Sequence, residues 1–179
     1  MPGIQWTDVC TDPLLERTYS AVASWEGQIF VHGGLSNVTG NQPLGSIVRW
    51  EHQTNKVSLV EENGPQLSHH TANLIGSNLI LVGGWNGKSR TSDLLAYNLK
   101  EEKWLKTQHM KEKSNPPFGL SGHTCTKINQ KLFCVLGREG GLKIQRKFGD
   151  IFLLHVRMKE DTCSYWWSEA PVKTKSRSF

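Results

Sequence analysis

The sequence predicts an all-β fold built from about three four-stranded antiparallel units, on three observations. First, three segments share one grammar: YSAVASWEGQIFVHGG from Tyr19, HTANLIGSNLILVGG from His70 and HTCTKINQKLFCVLGR from His123. Second, Tyr19, His70 and His123 then fall at equivalent positions roughly 50 residues apart, a spacing that signals a repeat architecture. Third, each segment continues in the same way, through a loop, an apolar strand, a short polar connection and a last strand.

Within each unit a tight turn joins the first two strands, at Glu26-Gly27, at Gly76-Ser77-Asn78 and at Asn129-Gln130. Gly and Asn supply the positive φ such turns require without a Cβ clash. The second strand ends at a glycine turn: Gly33-Gly34, Gly83-Gly84 and Gly137-Arg138. The third strand reads SIVRW from Ser46, DLLAY from Asp93 and DIFLL from Asp150, and the fourth is marked by Val57, Trp104 and Trp166. Four short antiparallel strands are the make-up of one propeller blade. The repeats run over about 17–60, 68–106 and 121–167, with a lone strand near Trp6 ahead of them. Residues 1–168 thus read as one partial propeller, and 169–179 as a basic tail opening an incomplete next blade.

Composition sets the outer bounds. A chain of 179 residues with 37% hydrophobic and 9% aromatic residues is one globular domain with a core of its own. No stretch approaches 18 consecutive apolar residues, so no transmembrane helix is expected. The N-terminus, MPGIQWTDVCTDPLLER, carries acids and no apolar core, unlike a secretory signal. An intracellular protein, cytoplasmic or nuclear, is therefore expected. The four cysteines form no C-x-x-C pair and no zinc spacing with histidine, so free thiols are expected. In that compartment the Asn37-Val38-Thr39 sequon is idle.

The stretch LILVGGWNGKSR, residues 79–90, invites a different reading, because Gly87-Lys88-Ser89 resembles the end of a phosphate-binding loop. That motif needs glycine five residues before Gly87, where Val82 stands, and a following helix whose N-terminus faces the anion. The segment that follows, TSDLLAYNL, has no 3.6-residue periodicity and aligns with strands in both sister units. The turn is structural, and its glycines are expected to end the second strand where side chains would clash with the next blade.

The glycine pair, the Asp-x-x-x-Tyr spacing of Asp93 and Tyr97, and Trp104 seven residues on resemble a kelch repeat. The first unit is looser, with Ser46, Trp50 and Val57 at those positions; the third departs most, with Arg138 in place of a glycine. SHHTANL, VGGWNG, SGHTCTKI, GREGG and QRKFGDI resemble one member of that family more than the generic repeat. The likeness covers about residues 14–165. It implies a closed ring of about four to eight blades with no catalytic machinery of its own. Three blades make an incomplete ring, so the resemblance implies a truncated form whose open strand edges and apolar blade face invite self-association.

Catalytic and metal chemistry find little support. His69-His70 and His123 are metal-ligand types, yet His70 and His123 recur at one repeat position, which favours an inter-strand hydrogen-bonding role. No metal and no other cofactor is expected. Cys125 and Cys134 face each other if Ile128 pairs with Lys131, and packed thiols are then expected. No Gly-x-Ser-x-Gly elbow is present. Some kelch propellers are copper oxidases, but nothing about Tyr19, Tyr97 or Tyr165 marks such a site, so no enzyme is expected.

Equivalent loops of a propeller emerge on one face, and binding residues concentrate on loops held by a rigid scaffold. The loops at 35–45, 85–92 and 139–149 gather Trp85, Lys88, Arg90, Arg138, Lys143, Arg146 and Lys147. Together with a net charge of +5, these residues suit an acidic segment of a protein partner. The leading expectation is a non-enzymatic protein-interaction module. A solvated basic rim is the bland alternative; nucleic-acid binding through the same loops and a fragment without independent function are the others. The partner's identity is not legible.

Overall fold

The computed structural model describes residues 3–4, 6–113, 116–140, 145–147 and 151–170. They form an arc of three blades of a β-propeller. Blade one is an antiparallel sheet of β1 (Ala21–Trp25), β2 (Gln28–His32), β3 (Ile47–Glu51) and β4 (Lys56–Glu61) in sequential order. Blade two repeats it with β5 (Thr71–Ile75), β6 (Asn78–Trp85), β7 (Arg90–Asn98) and the short β8 (Lys103–Trp104). Next along the chain comes β9 (Lys106–His109). Blade three contains β10 (Thr124–Asn129) and β11 (Leu132–Leu136), and a separate hairpin of β12 (Arg138–Gly140) and β13 (Gln145–Lys147) follows. It closes with β14 (Phe152–Lys159) and β15 (Thr162–Glu169).

The first strands of the blades, β1, β5 and β10, lie side by side along the inside of the arc. Alternation along β6 supplies both of its neighbours. Leu79 and Leu81 pack with Phe30, Ile47 and Tyr97 in the seam between blades one and two. Ile80 and Val82 join Leu94, Phe133, Leu154 and Trp167 in the larger core between blades two and three.

Two of the three hairpin turns differ from expectation. Trp25 pairs with Gln28, leaving Glu26-Gly27 with φ of 48° and 74°, as a two-residue turn of mirror-image type requires. Ile75 pairs with Asn78, so the second turn is Gly76-Ser77, one residue shorter than expected. In blade three a register shift between Lys127 and Asn129 moves the turn to Gln130-Lys131. That shift sets Cys134 opposite Thr126 and Cys125 opposite Val135, so the two cysteines do not face each other.

The equivalence of Tyr19 with His70 also needs correction. Tyr19, His69 and Gly122 each enter an inner strand with left-handed φ of 56°, 57° and 62°. Tyr19 therefore matches His69, and Ser20 matches His70 and His123. These three residues form a hydrogen-bonded series around the hub. The His69 amide donates to the Tyr19 carbonyl at 2.9 Å, and the Gly122 amide to the His69 carbonyl at 3.0 Å.

The glycine pairs hold the seams. A Cβ on Gly33 would meet the Leu67 carbonyl and His70, and one on Gly83 would meet Leu120 and His123, in each case the next repeat. The second glycine of each pair binds the same lead-in: the Gly34 amide donates to Leu67 O at 2.8 Å, and that of Gly84 to Leu120 O at 2.9 Å. In blade two the pair does not end the strand as expected; β6 runs on to Trp85 through a bulge between Val82 and Gly84. The histidines lie between blades and not between strands of one blade. His32 Nδ1 is 2.9 Å from His70 Nε2, and His123 Nε2 is 3.3 Å from Thr71 Oγ1.

The fourth strand of the second repeat divides between two sheets. The Leu105 amide still bonds the Ala96 carbonyl of blade two at 2.9 Å, whereas the Lys106 amide bonds Asp161 O of blade three at 3.1 Å. From there β9 runs parallel to β15, so blade three has five strands where four were expected. Lys103 Nζ, 2.7 Å from both Glu101 and Asp161, and His109, stacked on Tyr165 at 4.8 Å, reinforce the link. Ahead of blade one, Trp6 pairs with no strand among the described residues and is 92% exposed. The chain then meets Asn55, whose Nδ2 donates to Val9 O at 2.8 Å, and turns through a short 3-10 segment, Pro13–Leu15. Arg17 pins this lead-in to blade one through Leu14 O, Gly33 O and Ser46 Oγ. The tail expected to open a further blade lies outside the described residues from position 171.

Candidate interaction face

All three loops that follow a second strand leave the same rim of the arc as the lead-ins to blades two and three. The loop after β6 is tighter than expected. Asn86 Oδ1 accepts the Lys88 and Ser89 amides at 3.0 and 2.8 Å, and the Asn86 amide donates to Ser89 O at 3.1 Å. Those amides are thus turned inward onto a side chain, and β7 follows them where a phosphate site needs a helix. This is a turn-stabilising arrangement.

Trp85 and Arg90 are brought together. They pair across β6 and β7, and the guanidinium carbon sits 5.7 Å from the centre of the indole ring. Such a stack holds Arg90 side-on and adds cation–π attraction. Lys88 goes elsewhere: it is exposed on a cleft of about 400 Å³ between blades one and two, with Gln42, Gln66, Asn86 and Asp93. Gln42 Nε2 donates to Gln66 Oε1 at 2.9 Å across the mouth. The third loop forms the β12–β13 hairpin, where Arg138 pairs with Lys147 and Glu139 with Arg146. Lys143 lies outside the described residues.

Sequence reasoning missed an aromatic component of this face. Tyr19 is 60% exposed and stacks on His69, with ring centres 3.9 Å apart and planes 17° apart. Through the backbone pair Ser68–Trp85 this stack adjoins the Trp85–Arg90 stack. Phe118, 72% exposed, enters through the Thr91–Leu120 bridge next to Arg90. The available signal was the correspondence of Tyr19 with His69 two residues before the inner strands, which an alignment displaced by one position hid.

Nucleophilic chemistry is disfavoured at the buried thiols. Burial pushes Cys125 and Cys163 each up to about 12, leaving them protonated at neutral pH. Burial also raises Tyr97 to about 12, and Tyr165 beside Asp93 is raised as well. Among the described residues, no group of three or more His, Cys, Asp or Glu is placed to hold a metal ion.

Gly33 and Gly83 at the blade seams, and Tyr97 packed on Trp104 at 5.0 Å, give the glycine-pair and Tyr–Trp signature a structural meaning. The sequence matches the family described as KLHDC2/KLHL20/DRC7 Kelch-repeats domain over residues 4–178. The chain belongs to the kelch-repeat family. Within it, Kelch domain-containing protein 9 of Mus musculus is 35% identical over 175 residues, covering 97% of this chain and 49% of the relative. The Homo sapiens protein of the same name is 33% identical over 181 residues, covering 98% and 50%. This kelch chain spans about half the length of the curated relatives it matches. Among its described residues no helix is long and apolar enough to cross a membrane.

Proposed function

We propose that this kelch arc is a non-enzymatic protein-interaction module whose loop face takes an acidic peptide segment carrying an apolar anchor. The observation that carries the reading is the Trp85–Arg90 stack lying beside the Tyr19–His69 stack. A guanidinium held against an indole fixes a positive charge beside an aromatic face, while the neighbouring rings offer apolar area at low entropic cost. Lys88 lines the cleft, and the basic residues Arg138, Arg146 and Lys147 belong to the β12–β13 hairpin that follows the second strand of blade three. Lys143 extends that basic run in sequence. Four free thiols fit a reducing, intracellular setting.

The test is fluorescence anisotropy with a labelled Glu- and Asp-rich peptide containing one leucine. Arg138→Glu with Arg146→Glu is expected to weaken binding by at least ~10-fold, or about 1.4 kcal/mol. Trp85→Ala is expected to weaken it at both low and high salt, because the apolar contact is not screened. Binding unchanged by the charge reversals would sink the proposal.

A further inference from the structure

We propose that two copies of this chain close end to end into a six-bladed ring, blade three of each packing on blade one of the other. The inference rests on a seam that the chain already builds twice. Between blades two and three, Val82 is fully buried and Cys125 packs on the same core. At the seam of blades one and two, the equivalent positions are His32, also fully buried, and Ala72, packed against that core. The third pair of equivalents is Leu136, just before Gly137, and Val22 on β1. These two lie at opposite ends of the arc and are 40% and 53% exposed. Each end thus presents one half of the contact that the other end lacks.

The surrounding residues agree. Leu132, Cys134, Leu153 and Trp166 alternate with the core residues of blade three and are only partly covered. On blade one Leu59 is exposed on the same side as Val22, opposite Val48. The hub series runs in one direction, each left-handed residue donating its amide to the carbonyl of the one before. Tyr19 of a second copy has the backbone conformation needed to extend it from Gly122. Six blades fall within the range of four to eight seen in closed propellers. A two-fold axis along the ring axis makes both new seams identical, so association stops at the dimer.

Light scattering on a sizing column tests this with the 179-residue chain. The expected mass is twice 20.2 kDa. Val22→Asp and Leu136→Asp, at exposed positions, are each expected to return the mass to 20.2 kDa with the β-sheet circular dichroism unchanged. Val22→Ser and Leu136→Ser, milder changes, are expected to weaken the dimer in the same direction and serve if either aspartate variant misfolds. A monomer at ~100 μM, far above the dissociation constant of a stable interface, would overturn the proposal. So would open-ended aggregate, or a dimer indifferent to substitution at Val22, which would indicate blade three meeting blade three.

Discussion

Replacing Gly83 with alanine is expected to cost about 3 kcal/mol and to lower the thermal midpoint by roughly 6–12 °C. Two effects combine. The residue has φ of +65°, a left-handed conformation that costs an L side chain about 1–2 kcal/mol. The added Cβ would also stand 2.7 Å from the Cβ of Leu120 and 2.9 Å from His123 Cε1. Neither neighbour can yield without moving blade three away from blade two, and overpacking of this kind costs about 1–3 kcal/mol. Gly76→Ala is the matched control. Its φ is +59°, but nothing lies within 4 Å of the new methyl, so only the conformational cost of about 1 kcal/mol applies. Urea unfolding of both variants measures the difference. Equal losses would mean that the glycine pair serves backbone geometry alone and that the seam is not tight.

Acid is expected to destabilise the arc steeply, through the same seams. Burial holds His32 and His123 each near 4 and His70 well below its ordinary value. At His32 the charge of Arg17 acts in the same direction and the Pro65 carbonyl opposes it; at His123 the Val82 carbonyl opposes burial. The folded chain therefore keeps these rings neutral, while the unfolded chain takes up protons below about 6.5. Their contribution to stability is fully present above that value and is lost as the pH falls from about 6.5 towards 4. His32 and His123 each account for about 3 kcal/mol over that window. Urea titrations at pH 7, 6 and 5 read this directly, and His123→Gln is expected to flatten the slope by about 1.4 kcal/mol per pH unit. A stability independent of pH between 7 and 5 would contradict the buried, neutral assignment.

Much of this architecture is legible from glycines, because their requirement is local. Gly33-Gly34 and Gly83-Gly84 announce a close approach of backbone, and that is what the next repeat makes of them. What escaped detection depends on the backbone of residues with side chains, or on partners far away in sequence. Tyr19 and His69 adopt left-handed φ without being glycine, so their equivalence with Gly122 leaves no compositional trace. An apparent match between Tyr19 and His70 then displaced the first repeat by one residue. The bulge before Asn129 likewise falls in a run without glycine, which put Cys125 and Cys134 wrongly face to face. On the candidate site, Trp85 and Arg90 were placed together by their hairpin, a short-range fact. The separation of Lys88 and the arrival of Tyr19 and Phe118 are consequences of how blades meet, which no single repeat records.

The strand that leaves blade two for blade three puts the unit of inheritance out of phase with the unit of unfolding. A duplication copies a repeat that ends near Lys106, yet the amides from Lys106 onward are protected by a sheet encoded some 55 residues later. Opening blade three strips β9 of its partner, and opening blade two removes the anchor at Leu105 that aims it. Amide exchange along this strand is therefore expected to report the two blades as one cooperative block, with blade one exchanging on its own schedule. A single-residue insertion between Leu105 and Lys106, harmless in most interblade connections, would turn every side chain of β9 to the opposite side of the sheet.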